Sequence, residues 1–170
     1  MVPKAVRVAV LVNPANASVA KTTLRDAQEA ASAIGLNIQI LNANTIGGID
    51  TAFGTLVRER CDALFVDADA LFLSRRAQFV TLTARDRMPA AFSQRAYVEA
   101  GGLMSYGTDI ADSFRQVGVY TGEILKGAKP AELPVLQSTK FEFAINLQTA
   151  RALGIEVPSG LLSIADDLIE

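Results

Sequence analysis

Two periods of apolar residues alternate along the chain. Residues 6–12 form a nearly continuous apolar run, broken only by Arg7, which suits a parallel strand buried on both faces. The run stops at Asn13-Pro14. Leu24, Ala27, Ala31 and Ile34 then recur at helical spacing up to Gly35, predicting a helix entered through the polar loop 15–18. The unit repeats. Residues 37–41 read as a strand, 44–48 as a loop, and Ile49, Phe53, Leu56 and Val57 as the apolar face of a second helix. A third strand over 63–66 and a loop over 67–73 lead to a helix capped by Ser74, which runs through Arg75, Arg76, Val80 and Ala84 and ends before Met88-Pro89. A short fourth strand covers 90–93.

The second half is less regular. Residues 104–106 predict a strand, and Thr108 caps a helix over 108–126 with Ile110, Phe114, Val117, Thr121, Ile124 and Leu125 along one side. Residues 141–145 predict a further strand, and Asn146 caps a short helix ending at Gly154. A last helix is predicted after Pro158, with Ser159 as cap and Leu161, Leu162, Ala165, Leu168 and Ile169 on its apolar side. Strands alternating with helices at this spacing predict an α/β fold, a doubly wound parallel sheet with helices on both faces.

Length and composition narrow the function. At 170 residues, half of them apolar, the chain has room for one domain with a proper core. A net charge of −2 gives no electrostatic reason to seek nucleic acid or an anionic membrane. Histidine is absent, which removes histidine-based triads and the commonest zinc ligand. Cys61, the one cysteine, precedes the apolar run 63–66 and reads as a buried structural thiol. Gly47-Gly48 and Gly101-Gly102 lack the spacing of phosphate loops and read as turns. No apolar run approaches the ~20 residues of a membrane span. The start, Met1-Val2-Pro3-Lys4-Ala5, runs into a strand without the features of a secretory signal, so the chain as written is expected to be cytoplasmic.

Polar residues gather beyond the carboxyl ends of the predicted strands, where open parallel sheets bind ligands. Asn13, Asn16 and Ser18 follow the first strand, beside helix N–H groups that suit an anion; Ser18 also reads as a plain N-cap. Asp67 and Asp69 follow the third strand and suit an ammonium group, with a solvated loop acid the favoured reading of Asp67. Ser93 and Tyr106, near the ends of later strands, offer a hydroxyl and an aromatic ring, and Tyr106 reads equally as a packing residue. Arg75-Arg76 reads as a solvated helix face.

The stretches GGLMSYG (101–107), EILKGAKPAELPV (123–135) and INLQTARALGIEVPSGLLSIADDLIE (145–170) resemble the substrate-binding proteins of ABC transporters, in the branch grouped with tryptophan and tyrosine transport. The resemblance starts at RVAVLVNP (7–14) and covers nearly the whole chain, as the C-terminal half of such a protein. It implies the second lobe of a type I periplasmic binding protein, residues 1–170 as a single domain, with the 108–126 helix covering a first lobe or a partner chain. It further implies a clamped small ligand, an amino acid or related aromatic carboxylate, delivered to an ABC permease in the periplasm with no bond made or broken and no cofactor. Ligand contact carries over to Asn13, Asn16, Ser18 and Asp69, and to Ser93 and Tyr106. With half the clamp missing, the exposed apolar side of the 108–126 helix predicts a homodimer. The alternative is a receiver-like signalling or interaction domain on the same architecture. A receiver requires acidic residues after the first strand and a lysine at the end of the fifth, where this chain has Asn13-Pro14 and no lysine directly following 101–107. A small enzyme on this fold ranks last.

Overall fold

The computed structural model describes residues 1–136 and 139–170. A seven-stranded sheet carries the fold, in the order β2-β1-β3-β4-β5-β6-β7. The strands are β1 (Arg7–Val12), β2 (Asn37–Asn42), β3 (Ala63–Val66), β4 (Ala90–Phe92), β5 (Met104–Thr108), β6 (Phe141–Asn146) and β7 (Asp167–Ile169). The first five are parallel, and β6 runs antiparallel to β5, with Tyr106 opposite Phe143. The parallel pairing of β6 with β7 therefore reverses direction at the far edge. The expected α/β architecture is present, mostly rather than wholly parallel.

Between the strands lie α1 (Ala17–Ile34), α2 (Ile46–Arg58), α3 (Ala70–Ser74), α4 (Arg76–Arg85), α5 (Arg95–Glu99), α6 (Ile110–Leu125), α7 (Leu147–Leu153) and α8 (Ser159–Leu162). Alternate strand residues face opposite sides. Ala9, Leu11, Leu64, Val66 and Phe92 join Phe53, Phe72, Phe79 and Tyr97 in the main core, beneath α2 to α5. Val10 and Val12 face the other way and pack with Ala20, Leu24 and Phe65 beneath α1. Cys61 is buried in the main core, and burial pushes its thiol pKa up.

Several local expectations are corrected. The last helix shrinks to the single turn α8, and Leu168 and Ile169 lie in β7. Pairing decides this: Leu168 stands opposite Ile145, and Asp166 Oδ2 accepts the Phe143 N–H at 2.8 Å. Thr108 closes β5 rather than capping α6; the cap is Asp109, whose Oδ1 accepts the Asp112 N–H at 2.9 Å. The 67–73 loop already contains α3, so Ser74 ends a helix rather than starting one. Gly47-Gly48 is no turn: both glycines sit in the first turn of α2, capped by Thr45. The short α5 was not predicted. Gly35 and Gly154 end α1 and α7 in the left-handed conformation that glycine favours.

Candidate functional site

β1 lies between β2 and β3, so the connections leaving β1 and β3 diverge and open a crevice at their carboxyl ends. Asn13 and Asp69 close the floor of that crevice. Asn13 is buried directly after β1; its Oδ1 accepts the Ala15 N–H at 3.0 Å, and its Nδ2 donates to Asp69 Oδ2 at 3.1 Å. Asp69 caps α3, its Oδ1 accepting the N–H groups of Leu71 at 2.9 Å and Phe72 at 3.3 Å. A carboxylate offers about four acceptor sites. These bonds occupy three and leave Oδ2 able to accept from a ligand cation.

Asp67 corrects its reading as a solvated acid. It is buried, and its Oδ1 accepts from Thr23 Oγ1 at 2.8 Å and from the Ala68 N–H at 2.7 Å, tying α1 to the loop after β3. Nothing local in the sequence marks Thr23, a helix hydroxyl 44 positions from its partner.

Asn16 and Ser18 are exposed on the rim of the same crevice. Asn16 holds the cap position of α1 without a side-chain cap bond, and Ser18 lies inside the helix, which corrects its reading as the cap. No acidic residue stands in the first turn of α1. Its leading N–H groups and its positive dipole end thus face the crevice without a side-chain carboxylate to satisfy them.

Ser93 follows β4, half-buried. Its carbonyl oxygen stands so close to Gly107 of β5 that a Cβ there would lie 2.0 Å away. Tyr106, 61% exposed, turns to the α1 side of the sheet and stacks on Phe141 with centroids 5.7 Å apart, with Phe143 edge-on at 6.3 Å. The predicted residues thus fall into a bonded Asn13–Asp69 pair, a rim of Asn16 and Ser18, Ser93 on the adjacent strand end, and Tyr106 in an aromatic group.

Two further residues shape this end of the sheet. Tyr97 of α5 is 1% exposed, stacked on Phe92 at 4.4 Å, and its hydroxyl lacks a hydrogen-bond partner among the described residues. Burial pushes its pKa well above the ordinary tyrosine value, and the Asp69 carboxylate pushes the same way. Arg95, at the start of α5, binds Glu99 at 2.8 Å, Glu142 at 2.7 Å, and Asp167, fastening β6 and β7 to the parallel body. Only Glu99, four residues on along α5, is a local partner; Glu142 and Asp167 lie 47 and 72 positions away, so nothing local announces the link to β6 and β7.

The model of the ABC transporter substrate binding protein family matches residues 1–169. The tyrosine-binding protein of Clostridioides difficile is 23% identical over 156 residues, which is 92% of this chain and 45% of that protein. A Streptococcus pneumoniae ABC domain solved in complex with L-Trp superposes with a TM-score of 0.86 at 28% identity, covering 98% of this chain and 57% of that one. A conserved domain protein of Vibrio cholerae superposes at 0.87, with 23% identity over 98% of this chain and 55% of its own. The chain thus spans about half the length of the relatives it matches. With that family's model matching from the first residue to the last but one, the chain belongs to the ABC transporter substrate binding proteins.

Proposed function

We propose that the chain supplies one jaw of a solute-binding clamp for an ABC importer, and that the ligand is an amino acid or a related aromatic carboxylate. The observation that carries this reading is the Asn13–Asp69 bond across the β1/β3 crevice. It holds a carboxylate with accepting capacity to spare opposite a helix start with N–H groups to spare, the two halves of a zwitterion's complement. The ligand ammonium binds Asp69, its carboxylate meets the first turn of α1 near Asn16 and Ser18, and Asn13 fixes the Asp69 rotamer. Ser93 and Tyr106 flank the far side. The L-Trp complex of the S. pneumoniae relative and the tyrosine-binding relative support an aromatic amino acid.

Transfer to a permease requires no bond chemistry from this chain, and its place of action is outside the cytoplasmic membrane. Among the described residues no helix is long and apolar enough to cross a membrane. The exposed apolar side of α6 is the surface by which this jaw joins a second body.

The test is a thermal-shift titration against L-Trp, L-Tyr, aliphatic amino acids and aromatic carboxylates. A ligand at about 100 times its Kd stabilises the native state by about 2.7 kcal/mol, a rise of several degrees for a chain of this size. A saturable shift confined to one class supports the reading and names the ligand; no shift with any of them at millimolar concentration counts against it.

A further inference from the structure

The two polar ties at the candidate crevice are reciprocal. From the end of β1, Asn13 reaches Asp69 after β3 at 3.1 Å; from the end of β3, Asp67 reaches back to the helix after β1, its Oδ1 accepting from Thr23 Oγ1 at 2.8 Å. The first tie fixes a carboxylate. The second fixes α1, and it ends on the sheet itself: the Asp67 N–H donates to Leu11 O at 3.1 Å, and the Ala68 N–H donates to Asp67 Oδ1 at 2.7 Å. Thr23 stands about 9 Å along the helix axis from Ala17, three residues after the buried Ala20 and on the same face. The entry to α1 is pinned separately, by the Asn16 N–H on Asn13 O at 3.0 Å. Two fixed points set the axis of the first two turns.

Packing alone has no need of this carboxylate. Asp67 is 5% exposed and, among the described residues, enters no ion pair. Apolar residues of the same shape at 23 and 67 would hold α1 on Val10, Val12 and Phe65 as well or better, since a buried polar pair is at best modestly stabilising. They would not fix where the helix stops. Ala20 and Ala27 present only methyl groups to the sheet, which hold α1 against it without defining how far it slides, whereas a hydrogen bond weakens steeply away from its preferred length and angle. We infer that Thr23 and Asp67 are positioning residues of the ligand site: without touching the ligand, they set the first turn of α1 at the distance from Asp69 that separates the carboxylate of a free amino acid from its ammonium. The inference rests on the reading of the crevice as a zwitterion site and adds what makes that site select the free acid.

The test compares each amino acid with its own carboxamide. L-Trp, L-Tyr and L-Leu are titrated by thermal shift at about pH 6, where acid and amide both carry the ammonium and differ only in the carboxylate. For every amino acid that binds, the native chain is expected to prefer the free acid at least about 10-fold, and Thr23→Val to prefer it less than about 3-fold while the Kd of the amide, held by Asp69, stays within about 2-fold. A general loosening of the fold would instead weaken acid and amide together. Thr23→Ser keeps the hydroxyl and Asp67→Asn keeps an oxygen to accept it, so both are expected to retain the preference, and both serve if Thr23→Val does not fold. Loss of the preference in either would assign it to the methyl group or to the charge and overturn the inference. So would a preference that survives Thr23→Val, or a native chain that binds acid and amide alike. A native chain that binds none of the three amino acids overturns the clamp reading, and this inference with it.

Discussion

Replacing Gly107 by alanine tests the closest backbone approach at the candidate site. A Cβ at this position would lie 2.0 Å from the Ser93 carbonyl oxygen and 2.9 Å from its carbon. Ordinary van der Waals separation requires that gap to open by more than about 1 Å, and neither side is a flexible chain end. β4 and β5 are paired at Ala91–Met104 and Phe92–Ser105, so the displacement falls on a short ladder directly beside the crevice. Overpacking of this kind costs about 3 kcal/mol at the upper end of its usual range, and for a chain of this size that is a fall in Tm of roughly 6–12 °C. Gly54→Ala is the matched control. It sits in α2 with nothing within 4 Å of an added Cβ, so alanine is expected to stabilise by about 1 kcal/mol and raise Tm by a few degrees. Differential scanning fluorimetry on the three proteins decides the matter. A Gly107→Ala variant melting within about 2 °C of the native chain would refute the close approach of Ser93 and with it the tight junction of β4 and β5.

Three other substitutions probe separate parts of the structure. Asp69→Asn can keep the Oδ1 cap but sets an amide NH2 opposite the Asn13 Nδ2 that now donates to Oδ2, so the loss of about 1 kcal/mol is expected to lower Tm without ligand by roughly 2–4 °C while the amino-acid-induced shift disappears; an unchanged shift would remove Asp69 from the site. Tyr97→Phe deletes an unpaired buried hydroxyl and keeps the ring stacked on Phe92, so stability is expected to rise by about 1 kcal/mol; a fall in Tm would mean that the hydroxyl is satisfied. Asp62 Oδ2 accepts the N–H groups of Arg7 at 2.9 Å and Val6 at 2.8 Å, and those bonds hold its carboxyl below the ordinary carboxylate range. A depressed folded pKa gives stability that is fully present above about pH 4, the unfolded value, and is lost as the pH falls through the folded one. The Tm difference between the native chain and Asp62→Asn is therefore expected to be positive at pH 7 and to shrink below about pH 4; a pH-independent difference would contradict the assignment.

How far the sequence carries depends on how local each cause is. Strands β1 to β5 and helices α1, α2, α6 and α7 were legible because their apolar spacing and their glycine stops lie within a few residues of one another. β7 was not: Leu161, Leu162, Leu168 and Ile169 fit a helical stripe, and only the partner strand 23 positions upstream, through Phe143 N–H to Asp166, makes the segment extended. Caps were misassigned where two polar residues adjoin, as Thr108 and Asp109 do, because either satisfies the composition rule and backbone geometry alone selects between them. The same limit applies to the candidate site. Asn13 and Asp69 were visible as polar residues at strand ends, but their bond spans 56 positions, and so does the difference between a rim of ordinary turn residues and a fixed carboxylate. Asp67 shows the converse. Its sequence surroundings are those of a solvated acid, and its burial follows from Thr23 arriving on a helix that the sequence places correctly but cannot orient to the ångström. The apolar face of α6 is the opposite case: its period is written locally in Ile110, Phe114, Val117 and Leu125 and the helix forms as that period predicts, yet none of its residues is buried, because what covers a helix face is never local.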